Sequence, residues 1–99
     1  MKESLLVQKI IRAVRERYPA AYVRKLADRF NRGLPDILIL FNSVYGIPKS
    51  LFVEVKTDRG VLSEIQKQEH IDIARAGGVV VVARDVEFVL DVLREMKAT

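Results

Sequence analysis

The sequence contains no cysteine. Disulfides, thiolate nucleophiles and zinc or iron–sulfur centres held by cysteine are therefore excluded, and a reducing cytoplasm is the simplest compartment to expect. A long hydrophobic run is also missing, because basic residues interrupt the N-terminal apolar stretch, namely Lys9, Arg12, Arg15 and Arg17. A membrane span requires roughly 18 uninterrupted apolar residues. We therefore expect neither a membrane-spanning segment nor a signal peptide.

The length and the charge of the chain limit the kinds of protein that it can be. The chain has 99 residues, is 49% hydrophobic and carries a net charge of +4. This length and composition are typical of one folded domain, predicted to span residues 1–99. The positive charge favours an anionic partner such as nucleic acid, because a basic surface gains free energy by displacing counterions from phosphates. That indication is weak alone, since many basic proteins of this size bind no nucleic acid.

Hydrophobic periodicity predicts the element order αβββαβα. The predicted elements are a helix at 3–18, strands at 21–27, 36–41 and 51–57 with a turn at 42–50, a helix at 64–76, a strand at 79–82 and a last helix after Asp85. Apolar side chains on both faces of 37–40 indicate a central strand, whereas 21–27 alternates like an edge or half-exposed strand. The strand at 79–82 is expected to be buried. A ferredoxin-like fold is disfavoured, because its βαββαβ order does not open with a helix.

Residue types at the element ends support these boundaries. Ser63 and Gln66 fit a capping box, in which a hydroxyl and an amide satisfy opposite backbone donors at a helix start. Gly77 and Gly78 suit the left-handed position that closes a helix. Asp85 is the expected N-cap of the last helix.

Two charged residues lie within the third predicted strand. Glu54 and Lys56 are two positions apart, so their side chains share one face. Alone, this pattern more often marks a solvated strand face than a functional site. A hairpin folded about Tyr45 and Gly46, however, places Asp36 opposite this stretch on the same face. Two carboxylates and an ammonium group would then converge.

This convergence favours metal-assisted chemistry. Neighbouring carboxylates raise each other's pKa unless a cation lies between them. Mg²⁺ prefers oxygen ligands and is commonly held by one or two carboxylates, with waters and phosphate oxygens completing its coordination shell. Asp36 and Glu54 suit such an ion, and Lys56 is placed to orient a nucleophile or neutralise developing charge. The sequence therefore predicts Mg²⁺- or Mn²⁺-dependent phosphodiester hydrolysis, with no organic cofactor.

Four segments, in chain order, carry a family resemblance. They are Gly33-Leu34-Pro35-Asp36, Val53-Glu54-Val55-Lys56-Thr57, Gly60-Val61-Leu62-Ser63 and Gln66. They resemble the GxPD, ExK and GxLS motifs and the helix glutamine of the VRR-NUC family, which belongs to the PD-(D/E)xK nucleases. The resemblance covers nearly the whole chain. It implies an α/β fold with a restriction-endonuclease-like αβββαβ core, a C-terminal helix and a small mixed sheet flanked by helices.

The resemblance also implies roles for individual residues. The implied metal ligands are Asp36, Glu54, the carbonyl of Val55 and Glu3, and the implied catalytic residues are Asp36, Glu54, Lys56 and Gln66. Glu3 corresponds by position to an acid of the family's N-terminal helix. Two of these residues have structural explanations as well: Gln66 as part of the capping box, and Glu3 as a helix-start acid favoured by the helix dipole.

Other residues are candidates for substrate contacts. His70 lies one helical turn beyond Gln66 and faces the same side, although a lone histidine is more often structural. The candidates for phosphate contacts are Arg29, Arg32, Arg59 and Lys67, with Arg24 and Lys25 nearby. Charges of this kind more often form a solvated surface.

The leading expectation is a metal-dependent endonuclease acting on DNA. VRR-NUC modules that stand alone resemble Holliday-junction resolvases and tend to dimerise, which implies a homodimer and a branched substrate such as a four-way junction. One alternative is a non-catalytic module of the same fold that binds structured nucleic acid. Another is a structural or protein-interaction domain in which Glu54 and Lys56 form an exposed pair.

Overall fold

The computed structural model describes residues 1–27, 30 and 32–99. Its elements in chain order are α1 (Glu3–Arg17), β1 (Tyr22–Lys25), β2 (Ile37–Asn42), β3 (Pro48–Val55), α2 (Glu64–Arg75), β4 (Val79–Ala83) and α3 (Val86–Lys97). The predicted order αβββαβα is confirmed.

The strands form one mixed sheet in the order β1-β2-β3-β4. The β1–β2 and β2–β3 pairs are antiparallel, whereas β3 and β4 are parallel and are connected through α2. A parallel pair needs such a crossover, because the chain must return to the same end of the sheet before the next strand begins. The predicted small mixed sheet flanked by helices is confirmed.

The hydrophobic core lies on the face of the sheet that is covered by α1 and α3. Its buried residues are Leu6, Val7, Ile10, Val14, Val23, Ile37, Ile39, Leu51, Val53, Val55, Ala83, Val89 and Leu93. Alternate strand residues point to opposite faces, so the residues between these core positions face the side on which α2 packs. That second face is only partly covered, and Leu40 on it is 42% exposed.

The turn between β2 and β3 is shorter than the predicted turn at 42–50. Pro48 already pairs with Asn42, and Ser50 pairs with Leu40, so the predicted length was wrong. Proline is accommodated here because it occupies the first residue of its strand. The remaining turn is closed by the Ser43 side chain, whose Oγ accepts from the backbone N–H groups of Tyr45 and Ile47 at 3.2 Å. The other strand ends lie within two residues of the predicted positions, a difference that is usual for boundaries read from periodicity.

The prediction of a buried strand at 79–82 was also wrong. Val79 is 41% exposed, and only Ala83 of β4 is buried. The run of valines indicated burial on both faces, but β4 is an edge strand that pairs with β3 alone. An edge position leaves one side of the strand without a neighbour, which hydrophobic content does not reveal.

The helix ends follow the predicted capping. The Gln66 N–H donates to Ser63 Oγ at 3.1 Å, and the Ser63 N–H donates to Gln66 Oε1 at 2.9 Å, which completes the capping box. The Phe88 N–H donates to Asp85 Oδ1 at 2.8 Å at the start of α3. Over the described ranges, the chain has no helix with the length and apolar character needed to cross a membrane.

Candidate active site

The hairpin of β2 and β3 brings the two predicted carboxylates together. Ile37 pairs with Val53 at the end of the β2–β3 register, and Asp36 and Glu54 are the residues that come next along the two chains. The Asp36 N–H donates to the Val53 carbonyl at 3.0 Å, so the two chains are still hydrogen-bonded here, although this bond is one residue out of the preceding register. Both side chains belong to the face opposite the hydrophobic core, because they alternate with the buried Ile37 and Val53.

Asp36 is held by the backbone of the neighbouring strand. Its Oδ2 accepts from the Val55 N–H at 2.7 Å, a short bond of the kind expected for a charged acceptor. The N–H and carbonyl of one strand residue point to the same side of the strand. The Val55 carbonyl is therefore directed towards the side of β3 on which Asp36 lies.

Glu54 is a buried carboxylate with incomplete hydrogen bonding. The residue is only 2% exposed. Its Oε2 accepts from Gln66 Nε2 of α2 at 3.4 Å, and its Oε1 lies 3.7 Å from His70 Nε2. Within the described part of the chain, neither Glu54 Oε1 nor His70 Nε2 has a hydrogen-bond partner. A buried oxygen without a donor costs free energy unless a proton or a cation satisfies it.

The surroundings of Glu54 oppose its ionisation. Burial, followed by the hydrogen bond and negative charge of Asp36, raises the pKa of Glu54 to about 8. Glu3 raises this pKa further, whereas the positive charge of Lys56 lowers it. In the absence of a bound cation, Glu54 therefore keeps its proton at neutral pH. A divalent ion between the carboxylates would supply the charge that favours the ionised form.

His70 lies beside Glu54, as its helical spacing from Gln66 predicted. Its side chain is 13% exposed. Burial lowers the pKa of His70, and the charge of Lys56 lowers it as well, although Glu69 opposes this change. The imidazole is therefore neutral at pH 7, and its contact with Glu54 is not a strong ion pair.

The donor set fits a hard cation that uses few protein ligands. Among the residues that the structure describes, no group of three or more histidine, cysteine, aspartate or glutamate side chains is arranged so that it could hold a metal ion. Asp36 and Glu54 provide two carboxylates, and the unpartnered Oε1 of Glu54 is an available ligand. Mg²⁺ is commonly held by one or two carboxylates, with water and substrate oxygens completing its shell.

The remaining predicted site residues lie at different distances from this pair. Lys56 follows β3 and is half-buried, and its charge acts on both Glu54 and His70. Gln66 contacts Glu54 while also forming the cap, so its two expected roles coexist. Glu3 is exposed at the start of α1, and it acts on Glu54 through its charge.

The predicted phosphate-binding residues are less closely tied to the site. Arg32, Arg59 and Lys67 are exposed, and Lys67 pairs with Glu64 at 3.1 Å. Arg29 lies outside the described residues. The Arg24 guanidinium stacks over the exposed ring of Tyr22, 4.1 Å from its centroid.

One residue beside the site was missed by the sequence reasoning. Arg84 follows β4 and donates hydrogen bonds to the turn after Lys56. Its hydrogen bonds join residues that are 24 to 27 positions apart in the sequence, so no pattern of local spacing could have identified it.

Comparisons with known proteins agree with this fold. The model of the VRR-NUC domain family matches residues 1–87. A solved structure described as a VRR_NUC domain is 28% identical, with a TM-score of 0.69, and the match covers 95% of this chain and 97% of that chain. Another, described as a VRR_NUC domain protein, has a TM-score of 0.76 and covers 96% of this chain and 87% of that chain. Its identity is 18%, so this likeness concerns the fold alone. No curated protein matches the chain significantly.

Proposed function

The chain belongs to the VRR-NUC family of nuclease domains, and from this we propose that it is a Mg²⁺- or Mn²⁺-dependent endonuclease that hydrolyses DNA phosphodiester bonds. The observation that carries the proposal is the pair of Asp36 and Glu54, in which a buried carboxylate oxygen of Glu54 has no described hydrogen-bond partner. Lys56 completes the catalytic set.

Asp36, Glu54 and the Val55 carbonyl would hold the ion, and Glu3 stays a predicted further ligand. When bound, the ion would make a coordinated water more acidic and stabilise negative charge on the phosphate. The protein holds these oxygens in place before substrate arrives: the Val55 N–H fixes Asp36, and Gln66 contacts Glu54 from α2. Such preorganisation lowers the free energy of the transition state, because no reorganisation is needed during reaction.

Lys56 is proposed to act on the substrate side of the site. Its ammonium group can hold the attacking water or neutralise charge that develops on the phosphate oxygens. As the water oxygen bonds to phosphorus, a proton of this water passes to the surrounding solvent and the bond from phosphorus to the departing sugar oxygen breaks. The sugar oxygen then takes up a proton from the solvent.

We further propose a branched DNA substrate and a homodimer. The net charge of +4 and the exposed Arg32, Arg59 and Lys67 support binding to phosphates. A four-way junction has approximate symmetry, and a dimer with two equivalent sites suits two symmetric cuts. A reducing cytoplasm stays the expected compartment, because the chain contains no cysteine.

The test is cleavage of labelled four-way junction, duplex and single-stranded DNA with Mg²⁺ or Mn²⁺. Symmetric junction cutting by the wild type should be lost in Lys56→Ala, Asp36→Asn and Glu54→Ala. Lys49→Ala is a matched control, because Lys49 lies on β3 but bonds to Thr99 Oγ1 at 3.2 Å, away from the site. Sedimentation at the assay concentration should show a dimer.

Other outcomes would favour the alternatives. Full cleavage by Glu54→Ala would sink the proposed chemistry. A junction that shifts on a gel without being cut would favour a non-catalytic binding module. If calorimetric titration detects no Mn²⁺ binding and the junction is not bound, a structural or protein-interaction domain becomes the better account.

A further inference from the structure

The side chain of Arg84 holds the turn that follows Lys56. Its Nη1 donates to the carbonyls of Thr57 at 3.3 Å and Asp58 at 3.0 Å, and its Nη2 donates to the carbonyl of Gly60 at 2.8 Å. The turn is also closed by the Gly60 N–H, which donates to the Thr57 carbonyl at 2.7 Å. One guanidinium group therefore joins three carbonyls within four residues.

Gly60 lies directly against the side chain of Lys56. A Cβ atom added at Gly60 would be 3.2 Å from Lys56 Cδ and 3.4 Å from Lys56 Cβ. Gly60 does not have a positive φ, so its backbone conformation does not itself require glycine. The absent side chain leaves room for the aliphatic part of Lys56 and for the Thr57 carbonyl oxygen, which would also lie 3.2 Å from an added Cβ.

The backbone of Lys56 is hydrogen-bonded to the residue that precedes Arg84. Its N–H donates to the carbonyl of Ala83, the residue before Arg84, at 3.0 Å. Ala83 and Arg84, at the end of β4, therefore bond to the backbone of Lys56 and to the turn beneath its side chain. Both the backbone and the aliphatic side chain of Lys56 therefore contact this part of the fold.

From these contacts we infer that Arg84 and Gly60 are positioning residues for Lys56. Arg84 fixes the turn, and the Gly60 backbone then supports the lysine side chain so that its ammonium group reaches the carboxylate pair. The inference concerns the geometry of Lys56, and its effect on cleavage rests on the proposed nuclease activity.

The contacts favour positioning over direct phosphate binding by Arg84. Both Nη atoms of Arg84 already donate to carbonyls of the turn. No ion pair joins Arg84 to a carboxylate in the described ranges, so the turn is its main anchor. A planar guanidinium can span several carbonyls, whereas a lysine ammonium is a compact point charge. Arg84→Lys therefore keeps the positive charge but removes the planar group that bonds to several carbonyls at once.

The test measures single-turnover cleavage rate and DNA dissociation constant for Arg84→Lys and Gly60→Ala. We expect both variants to cut roughly tenfold or more slowly at saturating enzyme, because small displacements of a catalytic group have large effects on rate. The dissociation constants for DNA and for Mn²⁺ should stay near those of the wild type. If Arg84 and Gly60 only stabilised the fold, the variants would yield less folded protein, and the folded fraction would not cut more slowly while binding DNA and Mn²⁺ normally.

Gly46→Ala is the control for loss of stability. Gly46 has φ +77° and no atom within 4 Å of an added Cβ, so alanine strains a distant turn without touching Lys56. It should keep the wild-type rate when folded. Arg84→Lys with full rate, together with weaker DNA binding by Arg84→Met, would identify Arg84 as a phosphate contact and overturn the inference.

A spectroscopic measurement separates this inference from the proposed function. The ¹³C resonances of the Lys56 side chain should shift in Arg84→Lys and Gly60→Ala but not in Gly46→Ala. If they do not shift, the positioning inference fails whether or not the protein cuts DNA. If they shift while the wild type cuts nothing, the proposed nuclease activity fails and the positioning stands.

Discussion

At the scale of residues, the main feature of the candidate site is Glu54, whose surroundings raise its pKa. Glu54 lies in a strand whose neighbouring residues Val53 and Val55 are fully buried. Folding therefore removes Glu54 from water, and Asp36 adds a second carboxyl group beside it. A buried acid with so little compensation is typical of sites that bind a cation or move a proton.

This environment predicts a pH dependence for the metal-free protein. The pKa of Glu54 is about 8 when folded, compared with an ordinary value of 4.5, so the native state binds more protons between these values. The contribution of Glu54 to the free energy of unfolding should therefore be largest below the lower value and fall as pH rises towards the higher one. Glu54→Gln should remove this slope and raise the melting temperature at pH 8 by at least about 4 °C, equivalent to about 1 kcal/mol.

Thermal melts with EDTA between pH 5 and pH 8 provide the measurement. Asp36 interacts with Glu54, so the difference between the two curves reports the titration of this carboxyl pair. Added Mn²⁺ should restore stability to the wild type at pH 8 and leave Glu54→Gln nearly unchanged. Parallel curves for the two proteins would show that the native site does not raise the pKa of Glu54.

At the scale of elements, α2 links helix capping to the candidate site. Gln66 accepts from the Ser63 N–H with its Oε1, and it donates to Glu54 from Nε2. The capping box sets where α2 begins, and the same side chain then reaches across to β3. A local signal in the sequence therefore also determines which side chain faces the carboxylates.

The two roles of Gln66 can be separated by comparing it with Ser63. Ser63→Ala removes the hydroxyl that accepts from the Gln66 N–H, which should cost about 1 kcal/mol of stability and leave the cleavage rate of folded protein nearly unchanged. Gln66→Ala removes its own half of the cap and the contact with Glu54. We expect a similar loss of stability and a rate about tenfold lower.

Urea denaturation and single-turnover cleavage measure these two effects. Equal cleavage rates for Ser63→Ala and Gln66→Ala would show that Gln66 acts only as a cap. Gln66→Glu is a further comparison, because it retains an acceptor for the Ser63 N–H and places a carboxyl group next to Glu54.

At the scale of the whole molecule, the two faces of the sheet are covered unequally. Two helices cover one face and enclose the core, whereas α2 covers only part of the other. Leu38, Leu40 and Phe52 lie on this second face, on the same side as Glu54. A partly open face beside the carboxylates leaves space for a large substrate to approach.

Adjacent residues of β2 test this difference. Ile39 is fully buried, so Ile39→Ala should cost about 2–5 kcal/mol through lost burial and a cavity. Leu40 is 42% exposed, so Leu40→Ala should cost less than about 1 kcal/mol. Urea denaturation of the two variants gives both values. Similar costs would show that the second face is covered in solution as completely as the first.

Local patterns predicted the elements and which side chains could form the candidate site, because both depend on spacing along the chain. Periodicity is a property of neighbouring positions, so αβββαβα could be read directly. The shared face of Glu54 and Lys56 follows from strand alternation, and the hairpin between two consecutive strands brought in Asp36. The VRR-NUC resemblance rested on the same residues, and the family match confirms it.

The edge position of β4, the length of the β2–β3 turn and the contacts of Arg84 were decided by the tertiary structure. Each depends on which distant segments become neighbours: β4 has β3 on one side only, and Arg84 meets a turn more than 20 positions earlier in the chain. The raised pKa of Glu54 also depends on the tertiary structure, because its largest cause is burial by segments that are far apart in the sequence. Side-chain spacing determined which groups could meet, and three-dimensional packing determined how completely water was removed from them.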